Sequence, residues 1–205
     1  MKNLSIEQFT IETASDAPVP GGGSIAAVSG SLSAALAKMV ANLTIGKKKY
    51  AEVEEEMKEI SEKAEAIRVK MLDDIERDCA AFNLVMDAFK LPKETDEEKA
   101  ARTAAIQNGL KEAASVPMEI AENAYSIMAL SERVVLAGNS NAVTDGLVSA
   151  MMARTAVLSA ILNVKINLDS IKDEAFVAEL AGKVADIEKK TLETEKAILE
   201  ASPFK

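Results

Sequence analysis

The sequence predicts an all-α protein, a multi-helix bundle with two apolar central helices that is assembled as a dimer. Three observations lead there. No stretch alternates with a period of two, while apolar residues recur at three- and four-residue spacing through most of the 205 residues. Two long segments, 24–45 and 145–166, are nearly free of charge. They, with 9 methionines, offer more apolar surface than one small bundle needs. Finally, prolines and glycines cluster at a few breaks and leave the intervening segments uninterrupted. The length fits a single domain over residues 1–205.

Taken in order, a short helix is expected from Ser5 to Thr13, followed by the loop Asp16-Ala-Pro-Val-Pro-Gly-Gly-Gly. Ser24 then suits a helix cap, and the helix to Ile45 carries Ile25, Val28, Leu32, Met39 and Leu43 on one face, with Lys38 its only charge. This helix is expected to be mostly buried. Its small residues, Ala26, Ala27, Gly30, Ser33, Ala34 and Ala37, allow close backbone approach, and its serines, Gly30, Asn42 and Thr44 make it too polar for a membrane span. A second helical region runs from Tyr50 to about Lys90 along a seam that includes Met57, Ile60, Met71, Ile75, Phe82, Val85 and Phe89. Thr95-Asp-Glu-Glu98 is a capping box that opens a helix to about Ser115, and Pro117 is expected to start another, to about Ala137. After the loop 138–144, Thr144 is the expected cap of the second uncharged helix. An amphipathic helix from about Asp173 to Ala201 closes the chain.

Composition narrows the chemistry. A net charge of −9 disfavours nucleic acid as a partner, because phosphate binding needs clustered surplus cations. The chain has no histidine, so imidazole acid–base chemistry, His-dependent zinc sites and Ser-His-Asp triads are excluded. Proton transfer near neutral pH then falls to carboxylates, lysines, Cys79 or a bound water. The single Cys79 and the absence of an apolar leader make the cytoplasm the expected location, away from membranes.

Against that background several residues stand out. Gly21-Gly22-Gly23-Ser24 at a helix start offers free N–H groups and the positive end of a helix dipole, or simply a tight turn that lets two helices touch. Asp78 lies in the seam between Ile75 and Phe82, so it is a candidate proton donor or acceptor, or equally an acid paired for structural reasons. Asp145, Ser149, Ser159 and Asn163 fall near one line of the second uncharged helix, and Asn167 continues it; Asp145 and Asn163 are about 27 Å apart on an ideal helix. Lys47-Lys48-Lys49 is either a solvated helix end or a clamp for ligand carboxylates. Cys79 reads as an inert core residue more readily than as a nucleophile.

The segment Pro18-Val-Pro-Gly-Gly-Gly-Ser-Ile-Ala-Ala27, continuing through Met39-Val-Ala-Asn-Leu-Thr-Ile-Gly-Lys-Lys-Lys-Tyr50, resembles the folate cyclodeaminase/cyclohydrolase family. So do Asp78-Cys-Ala-Ala-Phe-Asn-Leu-Val-Met86, Leu91-Pro-Lys93, Gly138-Asn-Ser-Asn-Ala-Val-Thr-Asp145 and Asn163-Val-Lys-Ile-Asn-Leu168, which together cover nearly the whole chain. The resemblance implies a helical, commonly dimeric enzyme that acts on a one-carbon tetrahydrofolate, with a polyglutamylated form admissible, and that needs no cofactor beyond that substrate and no metal. The expected activity is formimidoyltetrahydrofolate cyclodeaminase, an ammonia lyase supplied by a separate formiminotransferase. Methenyltetrahydrofolate cyclohydrolase is the runner-up, and a catalytically idle folate-binding or helical interaction protein belongs to a third class.

Position and chemistry then distribute the roles. Asp78 and Asp145 are the candidate catalytic pair. Gly21, Gly22, Gly23 and Ser24 would admit the pterin or benzoyl portion, Lys47, Lys48 and Lys49 the glutamate tail, and Asn139, Asn141, Asn163 and Asn167 the amide-like edges.

Overall fold

The computed structural model describes residues 1–204, among which lie six α-helices, two 3₁₀ turns and no strand. The helices are α1 (Ile6–Thr13), α2 (Gly22–Thr44), α3 (Glu54–Phe89), α4 (Asp96–Ala137), α5 (Val143–Leu168) and α6 (Glu174–Glu200). The 3₁₀ turns, Lys48–Val53 and Ser140–Ala142, lead into α3 and α5. Helix α2 packs on α3, α3 on α4, α4 on α5 and α5 back on α2, which closes a four-helix ring, while α6 covers the groove between α4 and α5. Among the described residues no helix covers the groove between α5 and α2 in this way, and large side chains along it stay exposed.

Local chemistry sets most of the helix ends. Ser5 and Thr95 each form a capping box, with Gln8 and Glu98 respectively, and Asp173 accepts from the Phe176 N–H to cap α6. Three sequence expectations are overturned. Helix α2 starts at Gly22 with Gly21 at the cap, so Ser24 lies inside the first turn and its hydroxyl is free for other work. Helix α5 starts at Val143 without a side-chain cap, because the turn at Ser140–Ala142 already delivers the chain in helical conformation; Thr144 is therefore not the cap.

Pro117 likewise does not begin a helix. It sits within the 42-residue α4, where its missing N–H frees the Ala113 carbonyl. The Asn167 amide of α5 donates to that oxygen at 3.0 Å, so the neighbouring helix repairs the lost hydrogen bond and α4 continues.

Helix α2 is mostly buried, and it is the small residues noted in the sequence that face the core. Ala26, Ala27, Ala34 and Ala37 are fully buried, whereas Ile25, Leu32, Met39 and Leu43 are 36%, 52%, 37% and 44% exposed. Small residues face inward because α2 and its neighbours approach closely: a Cβ at Gly30 would come 2.9 Å from Met71 Cε. Helix α5 repeats the pattern, burying Ala150, Ala153, Ala156 and Ala160 and exposing Val148, Met151, Leu162 and Ile166. Buried hydroxyls pin three helices together. Ser33 donates to the Ser149 carbonyl at 2.7 Å, Ser149 donates to the Ser33 carbonyl at 2.8 Å, and Ser131 Oγ lies 2.8 Å from Ser149 Oγ.

On α3 the seam buries Met57, Ile60, Met71, Ile75 and Val85, but Phe89 is 49% exposed beneath Arg102. The fully buried acid of this helix is Asp74, held by Lys70 and Arg77, with Arg77 bridging to Glu119 of α4. By length and composition α2 and the segment Ser140–Leu168 could each cross a membrane, yet 61% and 50% of their apolar windows are buried inside this bundle.

Candidate active site

Asp78 is delivered by α3 to the first turn of α2. Its Oδ2 accepts from Ser24 Oγ at 2.8 Å, and the Ser24 backbone N–H also favours its ionised form. Helix α2 has no side-chain cap of its own, so a carboxylate from another helix serves its positive end. The two helices meet without clearance: a Cβ on Gly23 would fall 2.6 Å from the Asp78 carboxyl carbon, with both carboxylate oxygens also inside contact range. A Cβ on Gly22 would lie 3.0 Å from Asn163 Nδ2. The glycines therefore serve close approach, bringing a carboxylate and an amide against one helix terminus.

The result is a cleft of about 320 Å³ lined by Pro18, Val19, Gly21 to Gly23, Asp78, Phe82, Asn163, Ile166 and Asn167. Burial is the main influence on Asp78 and raises its pKa from the usual carboxylate value, and the Ser24 hydroxyl and N–H only partly offset it. A half-buried carboxyl over a helix N-terminus, open to a cleft, can accept a proton and return it. Asn163 and Asn167 are partly committed. Asn163 Nδ2 donates to the Ser159 carbonyl at 2.8 Å, and Asn167 Nδ2 donates to the carbonyls of Ala113 and Asn163. Cys79 is buried beside Ser24, its Sγ 3.5 Å from Ser24 Oγ, and burial pushes its thiol pKa up, which suits packing better than nucleophilic attack.

The other sequence candidates gather at the opposite end of α2. A second cleft of about 310 Å³ is lined by Lys47, Lys49, Tyr50, Asn139, Ser140 and Asn141, and Lys48 is not part of its lining. Asn139 is spent on architecture: its N–H donates to Thr44 Oγ1, its Nδ2 to the Leu43 carbonyl, and its Oδ1 accepts from the Asn141 N–H. Asp145 stands nearby in the first turn of α5. Because α2 and α5 run antiparallel, with Asn163 beside Gly22 and Asn139 beside Thr44, Asp78 and Asp145 lie at opposite ends, about 27 Å apart along the helices. One chain brings Asp78, the glycines, Ser24, Asn163 and Asn167 together at one end and Lys47, Lys49, Asn139 and Asn141 at the other, with Asp145 in the helical turn that follows, but does not join the two groups.

Sequence reasoning missed Tyr50. Its hydroxyl accepts from the Ser140 N–H at 3.0 Å and lies 3.2 Å from Ser140 Oγ, with the Lys49 ammonium 5.1 Å from the ring centre. These donors, Ser140 first and Lys49 after it, lower the phenol pKa to about 8. The lysine run drew notice in the sequence, but nothing there indicated that Ser140, ninety residues on, would meet the next residue.

The sequence profile of the family described as formiminotransferase-cyclodeaminase matches residues 5–186. The chain belongs to the formiminotransferase-cyclodeaminase family. It is 47% identical over 177 residues to the methenyltetrahydrofolate cyclohydrolase of Methylorubrum extorquens, covering 86% of this chain and 85% of that one. It is 34% identical over 182 residues to the formimidoyltransferase-cyclodeaminase of Sus scrofa, covering 89% of this chain but 34% of that longer protein. Its fold superposes on the crystal structure of a formiminotetrahydrofolate cyclodeaminase from Thermotoga maritima with a TM-score of 0.88 and 34% identity, over 98% of this chain and 96% of the other. The all-α architecture expected from the sequence is that of this formiminotetrahydrofolate cyclodeaminase.

Proposed function

We propose that this protein hydrolyses the methenyl bridge of methenyltetrahydrofolate. The observation that carries the folate reading is the Asp78 cleft: a half-buried carboxyl of raised pKa, fixed over the glycine-lined start of α2. The preference for hydrolysis rests on the 47% relative, which is matched over most of both chains and is named a cyclohydrolase. In this reaction water adds to the bridge carbon and gives up a proton, and one carbon–nitrogen bond then breaks, its electron pair going to the nitrogen, which takes a proton. Asp78 is the base toward water. The cleft, near the lower end of ligand-site volumes, suits the pterin and bridge better than a whole folate.

Cyclodeamination is the second reading, favoured by the match in fold to the Thermotoga protein. There the arylamine nitrogen attacks the formimidoyl carbon, and the proton it loses balances the one the departing ammonia needs. Asp78 can serve that shuttle unchanged, and a separate formiminotransferase would supply the substrate. In either reading the protein works in the cytoplasm as a homodimer, with no cofactor beyond the folate.

The two reactions are separated by incubating the protein with methenyltetrahydrofolate and, separately, with formimidoyltetrahydrofolate. Loss of the methenyl absorbance without ammonia release supports hydrolysis. Ammonia release with a rise in methenyl absorbance supports cyclodeamination instead, and tight binding with neither signal would reduce the protein to a folate-binding module.

A further inference from the structure

Among the described residues Pro117 is the one proline inside a helix, and what it changes reaches the Asp78 cleft. A proline there offers no N–H to the carbonyl four residues back, and its ring crowds that carbonyl away from the helix axis. The carbonyl concerned is that of Ala113, and α5 takes it up: Asn167 Nδ2 donates to it at 3.0 Å. The same nitrogen donates at 2.8 Å to the Asn163 carbonyl, one turn back on its own helix. Both amide hydrogens of Asn167 are thereby committed to carbonyl oxygens. That fixes the amide one way round, since the side-chain oxygen in the same place would face two acceptors. The oxygen itself takes no hydrogen bond among the described residues, on a residue that lines the cleft.

A clamp further along holds this pairing in register. Gln107 of α4 donates to the Ser170 carbonyl at 3.0 Å and accepts from the Lys172 N–H at 2.8 Å, and Lys111 pairs with Asp173 at 2.6 Å. These contacts tie the first half of α4 to the end of α5, so Ala113 and Asn167 stay opposite one another whatever residue occupies position 117. Asn163 follows the same rule as Asn167. Its Nδ2 donates to the Ser159 carbonyl at 2.8 Å and lies against Gly22, and its oxygen too is left unbonded. Asp78 is the third polar side chain of the lining, which among the described residues includes no lysine, arginine or hydroxyl. A wall of this kind pairs with N–H donors and disfavours a carbonyl oxygen.

We propose that Pro117 sets the hydrogen-bond polarity of the Asp78 cleft: through the Ala113 carbonyl it holds the Asn167 amide with its hydrogens inward and its oxygen toward the cleft. Pro117 is thus a positioning residue, and the ligand edge it selects is one that carries adjacent N–H donors. The inference rests on the folate reading only for the identity of the ring. A pterin meets the requirement with its 2-amino group and the neighbouring ring N–H, whereas a lumazine, with oxygen in place of that amino group, sets acceptor against acceptor. In Pro117→Ala the restored N–H draws the Ala113 carbonyl back into the α4 ladder. Asn167 then keeps one firm acceptor, and its amide is free to turn and offer hydrogens to the cleft.

Two experiments test this, the first without any ligand. The side-chain amide protons of Asn167, identified in proton–nitrogen correlation spectra by their loss in Asn167→Leu, are expected to exchange with water at least about tenfold more slowly than those of the exposed Asn108. Pro117→Ala, checked for helicity by circular dichroism, should lose most of that protection. Rapid exchange in the native protein overturns the proposal, and so does full protection in Pro117→Ala.

The second experiment titrates the protein with 6,7-dimethylpterin and with 6,7-dimethyllumazine, followed by their fluorescence. The native protein is expected to bind the pterin at least about tenfold more tightly. In Pro117→Ala that ratio should narrow toward equality, while KM for methenyltetrahydrofolate rises about tenfold and kcat changes little. A general loosening of the bundle would weaken both rings alike and leave their ratio intact. Equal affinity for the two rings in the native protein overturns the proposal, as does a folded Pro117→Ala that keeps the native ratio. Should Pro117→Ala fail to fold, amide exchange and ring preference in the native protein still decide the polarity. Native protection of the Asn167 amide with binding of neither ring would remove the folate reading and leave the coupling of Pro117 to Asn167 standing.

Discussion

The two ends of α2 treat their titratable groups in opposite ways. At the start, Asp78 is withdrawn from water and held by one hydroxyl and a helix terminus, and its proton is bound more firmly than a free carboxyl's. At the finish, Tyr50 stays half-exposed, is approached by a backbone N–H, a hydroxyl and a lysine, and gives up its proton more easily than a free phenol. Burial works on one group and donors on the other, and the two pKa values move toward neutrality from opposite sides. A protein without histidine can thus draw an acid and a base toward the neutral range by tuning groups that normally titrate far from it.

Removing Asp78 should break this comparison hardest. Asp78→Asn keeps an acceptor for Ser24 and the side-chain shape, so helicity should persist while kcat falls about 10²- to 10⁴-fold. Turnover within tenfold of wild type would remove the carboxylate from the chemistry. Tyr50→Phe should remove a phenol ionisation at about pH 8, read as the rise in ultraviolet absorbance when the tyrosinate forms. The wild type is expected to show that limb as pH rises through about 8, and the variant should lack it. A limb that survives the substitution belongs to another group.

Asp78 also leaves a mark on stability. Because its folded pKa is raised, its contribution is fully present below the ordinary value of 3.8 and is lost as pH rises through the raised one. Urea denaturation across that window should show a decline in the wild type that Asp78→Asn lacks. Asn167→Leu removes the donor to the Ala113 carbonyl and should cost about 1–3 kcal/mol at any pH, measurable by the same titration. The smallest effect is expected from Lys47→Ala with Lys49→Ala: a rise of a few-fold in KM that shrinks with added salt, and little change in kcat.

Much of the fold was legible because it rests on local rules. Ser5 with Gln8, Thr95 with Glu98, and Asp173 fix helix starts through side chains three residues from their targets. Two of the three misreadings involve partners distant in sequence. Pro117 looked like a helix start because the residue that heals its helix, Asn167, comes fifty residues later. Ser24 looked like a cap because Asp78, which draws its hydroxyl, belongs to another helix.

Which face of α2 turns inward depends on its neighbours in the same way. Large apolar residues normally mark the core, but the alanines and glycines opposite them allow helices to close on one another, and the large residues are left facing outward. At the site, Asp78 could be singled out from its place in the seam, and the glycines from their run. Tyr50 could not, since its significance lies in Ser140.

The contact between Gly23 and Asp78 bears on which sequences this fold can accept. The pair fills one volume, so enlarging either member displaces the other, and position 23 should admit only glycine in a saturation library whether variants are sorted by folding or by turnover. The two selections part only in a compensated pair. Alanine at 23 together with glycine at 78 restores the room while deleting the carboxyl, and should yield a chain that passes the first sort and fails the second.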